Sequence, residues 1–121
     1  MTVQTTILNA IESGAITTIS SYTTHIAVGT GTSTPLVSQT TLDSEVLREN
    51  VFSTESPANN KLLVSMFLDT TEANGNTIGE LGIFNASSGG TMVSRNKTNS
   101  LAKDSSTEVY YEVEYEVNAS N

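Results

Sequence analysis

The chain has 121 residues, enough for one domain around a single core, since a chain of this size removes well over half of its unfolded surface from water on folding. A formal charge of -8 leaves only Arg48, Lys61, Arg95, Lys97 and Lys103 as cations, too few and too scattered to track phosphates, so nucleic acid is not an expected partner. The absence of cysteine excludes disulfides, thiolate metal sites and cysteine catalysis, and with no basic-then-apolar leader and no apolar run of membrane-spanning length the chain is expected to be soluble as made, without membrane contact.

In chain order, "VQTTILNAIESG" places Ile7, Leu8 and Ile11 at helical spacing and ends on Gly14, the residue type that most readily closes a helix in the left-handed conformation. The pattern predicts a short amphipathic helix or, because Thr5 and Thr6 are poor helix formers, an extended arm; residues 1–19 form this helix or arm and residues 20–121 the main domain. From there the period becomes two. "YTTHIAV" sets Thr24, Ile26 and Val28 on one strand face and Thr23, His25 and Ala27 on the other. "LRENVFSTE" and "KLLVSMFLD" read as two strands joined through "SPANN", and the second is apolar on both faces, as a central strand requires. "EANGN" is a turn, "TIGELGIFN" a strand, "ASSGG" a turn and "TMVSRN" the hairpin partner. In "EVYYEVEYEV", Val109, Tyr111, Val113, Tyr115 and Val117 share one face, while Tyr110, Glu112, Glu114 and Glu116 share the other. Thr, Ser and Asn make up more than a third of the chain, and about six short strands between Gly, Asn and Pro turns predict a mainly β fold, a single-domain antiparallel β-sandwich.

Most motifs that could carry chemistry fail on inspection. "GTGTST", after the first strand, lacks the lysine and following helix of a phosphate-binding loop and the third glycine of a dinucleotide fingerprint; it reads as a strand exit. His25, the single histidine, has no second imidazole or thiolate to complete a transition-metal site, and no serine sits in a nucleophile-elbow context. Asp69 to Glu80 spans a calcium loop's length, but Asn74 stands where the sharp turn needs glycine, and Thr71 and Ala73 hold the third and fifth positions. The carboxylates of Glu108, Glu112, Glu114 and Glu116 read as a solvated strand face that discourages edge pairing, and paired glycosidase carboxylates would lack a tryptophan platform. Three glycosylation sequons, at Asn85, Asn96 and Asn118, match what eleven asparagines produce by chance in so hydroxyl-rich a chain. No catalytic residue, metal site or cofactor is expected.

One placement is informative. Strict alternation in "TIGELGIFN" sets Glu80 on the face of Ile78 and Phe84, where a buried carboxylate needs a cation. Arg48, Arg95 and Lys103 are the candidates, Arg95 favoured by the short hairpin between its strand and that of Glu80; the alternative is that this face is exposed.

Taken as an ordered set, "HIAVGTGTSTP", "TLDSEVLREN", "ANGNTIGELGIFNASSGGTMVSRN" and "LAKDSSTEVYYEVEYEV", across about residues 20 to 118, resemble a module of tail-fibre and related virion proteins of tailed phages. The matching landmarks are the GTG loop with Pro35, the segment with Leu42, Glu45 and Arg48, the strand with Glu80, Gly82, Ile83 and Phe84, the turn at Gly89 and Gly90, and the cations Arg95 and Lys103. The resemblance implies a β-rich, non-enzymatic, usually multimeric block of the virion, assembled in host cytoplasm, with other virion proteins as partners and a trimer as the preferred homo-oligomer. Because such modules often continue into a shaft or receptor-binding tip, a chain ending soon after its last strand is expected to act as a tail-fibre or baseplate-associated adaptor. A capsid-surface decoration protein is the alternative, and a glycan-binding module using Tyr22, Tyr110, Tyr111 and Tyr115 is a further one. Ile7, Leu8 and Ile11 are the candidate docking residues on a neighbouring subunit.

Overall fold

The computed structural model describes residues 14–117: a helix, α1 (residues 14–22), followed by seven strands. These are β1 (His25–Gly29), β2 (Glu45–Asn50), β3 (Ser53–Glu55), β4 (Lys61–Leu68), β5 (Thr77–Phe84), β6 (Met92–Ala102) and β7 (Val109–Glu116). They form two packed antiparallel sheets, one in the order β2-β1-β5-β6 and one in the order β3-β4-β7, so the chain is a two-sheet β-sandwich. Successive pairs alternate between the sheets: β1 and β2, then β3 and β4, then β5 and β6, with β7 returning to the second.

Alternation decides what lies between the sheets. Ile26, Val28, Ile78, Leu81 and Ile83 from the larger sheet meet Leu62, Val64, Met66, Leu68 and Val113 from the smaller one, all nearly or fully buried. β4 is the central strand of its sheet, as its two apolar faces require, and its register sets Phe67 beside Tyr110 and Ser65 beside Glu112. On the far side of the larger sheet lies a smaller apolar cluster, Ala27, Phe84 and Leu42, the last contributed by the long β1–β2 connection.

The helix differs from expectation. Gly14 does not end it in the left-handed region, which only Gly75, Gly89 and Gly90 among the described glycines enter. Gly14 is itself helical, and the described turns carry Ile16, buried in the inter-sheet core, and Ile19, packed against it; burying Ile16 outweighs the roughly 1 kcal/mol that glycine costs a helix. The Thr23 hydroxyl donates to the Ile19 carbonyl at 2.7 Å and the Thr23 amide to Ser20 at 3.1 Å, which satisfies the helix end. The helix therefore runs past residue 19, and its described turns belong to the sandwich core. Ile7, Leu8 and Ile11 lie outside the described residues.

Two further differences have local causes. "LRENVFSTE" is two strands: the Val51 amide still bonds Thr24 beside the larger sheet, while the Phe52 amide already bonds Ser65 in the smaller one, so the chain changes sheets within one residue step. Ile78 does not share the face of Glu80. A bulge between them, where the five residues Lys97 to Leu101 of β6 lie against the three residues Ile78 to Glu80 of β5, turns Ile78 inward with Leu81 and Ile83 and Glu80 outward with Phe84.

Candidate functional site

Glu80 is fully buried on that outer face, beneath the connection formed by residues 30–44. Its Oε1 accepts the amides of Gly31 at 3.1 Å and Ser44 at 2.8 Å, and its Oε2 accepts the Asp43 amide at 3.1 Å and Arg95 Nε at 2.7 Å. Arg95, also buried, continues outward: Nη1 donates to the Ser33 carbonyl at 2.9 Å and Nη2 to Asp43 Oδ2 at 3.0 Å. The Ser33 hydroxyl and the Gln39 amide close the network on Asp43. One carboxylate and one guanidinium thus fasten both ends of the connection. Burial alone would push the Glu80 carboxyl up, but the Ser44 amide, Arg95, and the Asp43 and Gly31 amides outweigh it and hold the group below the ordinary carboxylate range.

Glycine at 29 and 31 follows from this close approach. A Cβ on Gly29 would meet the Glu80 carboxylate and lie 2.5 Å from the Ser44 carbonyl; one on Gly31 would lie 2.5 Å from Asp43 Cβ. So fastened, the connection presents an exposed apolar tip. Val37 is fully exposed and Leu36 is 65% exposed, beside a depression of about 350 Å³ floored by Met92 and Val93 of β6.

The other two candidate cations fasten other loops instead of pairing with Glu80. Arg48 holds Glu45 through two bonds, at 2.7 and 3.1 Å, donates to the carbonyls of Ala86 and Gly89 at 3.0 and 2.9 Å, and lies 3.6 Å above the Phe84 ring. It pins the β5–β6 turn. Lys103, 2% exposed, donates to Asn74 Oδ1 at 2.8 Å and the Asp104 carbonyl at 2.9 Å, tying the β4–β5 and β6–β7 loops together. Their separate positions reflect register: Arg95 lies opposite Gly82 on the neighbouring strand, whereas Arg48 is two strands away from Glu80 and Lys103 lies beyond the end of β6.

The remaining polar candidates are committed locally. His25 Nδ1 pairs with the Thr24 hydroxyl at 2.8 Å, and Asp69 Oδ1 accepts the amide and hydroxyl of Thr71 at 2.7 and 2.6 Å. Among the described residues no cluster of three His, Asp or Glu side chains is arranged to hold a metal ion. Tyr111 and Tyr115 turn into the sandwich, where burial pushes the Tyr115 phenol up to about 12 against the opposing pull of Ser94, while Tyr22 stands on α1. Tyr110 joins Phe52 and Phe67 in an aromatic set, with ring centroids 6.3 Å (Tyr110 to Phe52) and 6.0 Å (Phe52 to Phe67) apart.

Glu49 carries a feature that sequence reasoning missed. It lies two residues after Leu47 and opposite Ile26, on the core-facing side at the sandwich margin, and burial followed by the neighbouring Glu72 and Asp69 raises its carboxyl to about 8. The folded state therefore holds a proton there that the unfolded chain, near 4.5, releases. This contribution to stability is complete below about 4.5 and is lost as pH rises towards 8; that of Glu80, whose value is lowered, is lost on acidification instead. Thermal midpoints measured across pH 4 to 9 are expected to peak near pH 4.5 to 5, with Glu49→Gln flattening the alkaline limb and raising the midpoint at pH 8 by a few degrees. An unchanged alkaline limb in Glu49→Gln would show that this carboxyl does not set it.

No family model matches the chain, and no curated protein does.

Proposed function

We propose that the chain is a structural virion protein of a tailed virus, a tail-fibre or baseplate-associated adaptor subunit that acts by assembly and not by catalysis. The observation that carries this reading is the convergence of separated landmarks. Gly31 and Leu42 from the connection, Glu80, Gly82 and Phe84 from β5, and Arg95 from β6 meet on one sheet face, where they hold a loop whose exposed tip is apolar. Gly82 leaves room for Leu42, because a Cβ there would lie 2.7 Å from Leu42 Cδ2. The buried ionic groups Glu80, Arg95 and Lys103 are engaged within the chain, which suits a scaffold; a catalytic group must be free to meet substrate.

A rigid loop bearing exposed Leu36 and Val37 is a surface for another protein. The glycan-binding alternative has less support: Phe52 and Phe67 are inclined at 43° and Phe52 and Tyr110 at 88°, so they offer a sugar ring no flat platform. Native mass measurement, combined with antibody labelling of intact particles from the source virus, tests the proposal. It expects an assembly larger than one chain and label on the tail. A monomer absent from particles would overturn it.

A further inference from the structure

Strands β6 and β7 are, like β2 and β3, edge strands, and each is paired on one side only among the described residues. They flank the same opening of the sandwich. At one end that opening is closed by a bond of 2.5 Å between the Ser94 and Tyr115 hydroxyls. Four residues further along β6 and four residues back along β7, it widens into a cleft of about 500 Å³ that reaches the core residues Leu81 and Val113. Here Thr98 Oγ1 and Tyr111 Oη are buried and have no hydrogen-bond partner among the described residues, and burial pushes the Tyr111 phenol up. Buried hydroxyls are almost always bonded, because leaving one unbonded is costly. The cleft has an apolar floor, orphan hydroxyls and two unpaired strand edges, which together fit an extended peptide segment.

Charge narrows the choice of segment. Pairing β7 with β7 of a second copy would set Glu112, Glu114 and Glu116 among their equivalents, and pairing two β6 strands about their middle would set Lys97 against Lys97. Residues 2–11, "TVQTTILNAI", carry no charge and combine Val3, Ile7, Leu8 and Ile11 with hydroxyl and amide side chains that can serve the orphan groups. They lead into α1, whose Ile19 and Tyr22 line a depression with Val93 of β6. Ten extended residues span about 33 Å, close to the roughly 36 Å of the eleven-residue β6.

We propose that the cleft between β6 and β7 receives residues 2–11 of a second copy of this chain, an inference that rests on the assembly reading above and names its acceptor site. The test uses the full chain, which has no native cysteine to interfere. Under mild oxidation, Ile7→Cys combined with Thr98→Cys is expected to give covalent dimers or larger multiples at least tenfold more efficiently than Ile7→Cys combined with Thr54→Cys, a control on the exposed strand β3. Cross-linking within one chain, equal yields from the two pairs, or no cross-link would each overturn the proposal. Tyr111→Phe, which deletes one orphan hydroxyl, is expected to keep its thermal midpoint within about two degrees while weakening assembly roughly tenfold; unchanged assembly would count against the site. A multimeric native mass in which Ile7→Cys and Thr98→Cys form no cross-link overturns this placement alone, whereas a monomer at every concentration overturns the assembly reading with it.

Discussion

Replacing Glu80 with alanine is expected to cost about 3–5 kcal/mol, because it leaves the Arg95 guanidinium buried without its carboxylate. The amides of Gly31, Asp43 and Ser44 lose their acceptor at the same time. For a domain whose total stability is of the order of 5–15 kcal/mol, this removes much of the margin, and the thermal midpoint is expected to fall by more than about 10 °C. Arg95→Met alone should be similarly damaging, since it strands a buried carboxylate. The pair Glu80→Ala with Arg95→Met should cost less than the sum of the two, because neither charge is then left unpaired. Chemical denaturation of the four proteins checks this; a Glu80→Ala thermal midpoint within two degrees of the parent would show that the pair does not hold the loop.

Gly29→Ala is the second large effect, at about 2–3 kcal/mol. Its methyl group would enter the space of the Glu80 carboxylate and lie 2.5 Å from a backbone carbonyl, which cannot swing aside as a side-chain tip can. Part of the clash involves Glu80 itself. Gly29→Ala combined with Glu80→Ala should therefore cost less than the two separate losses added, whereas strict additivity, again by denaturation, would place the damage of Gly29→Ala elsewhere.

Much of this architecture was legible in the sequence wherever one face of a strand is buried and the other wet. β7 alternates valine and tyrosine with glutamate, and the apolar run of β4 marks a central strand, so these elements follow from side-chain chemistry alone. Glu80 stood out because a carboxylate among apolar neighbours demands a partner, and the hairpin geometry pointed to Arg95. What escaped has physical reasons. The break between β2 and β3 leaves no mark in the sequence, since Val51 and Phe52 suit either sheet and only the identity of their backbone partners changes. The bulge that separates Ile78 from Glu80 arises from extra residues on β6, so it is invisible in β5 itself. Gly14 suggested a stop, but packing of Ile16 overrode it. The fastening of residues 30–44 rests mostly on backbone amides, which carry no side-chain signature, and the raised carboxyl of Glu49 depends on a loop brought to it by the fold.

The GTG loop is accordingly a held loop. Its glycines admit a carboxylate from the next strand, and what it offers outward is Leu36 and Val37, neither of which supports the core. The most direct measurement of the central claim is the native mass of Leu36→Asp with Val37→Asp beside that of the parent. With the tip as an assembly contact in addition to the β6–β7 cleft, the parent is multimeric and the variant stays folded but forms a smaller assembly. A variant that assembles as the parent does, or a parent that is itself monomeric, would contradict it.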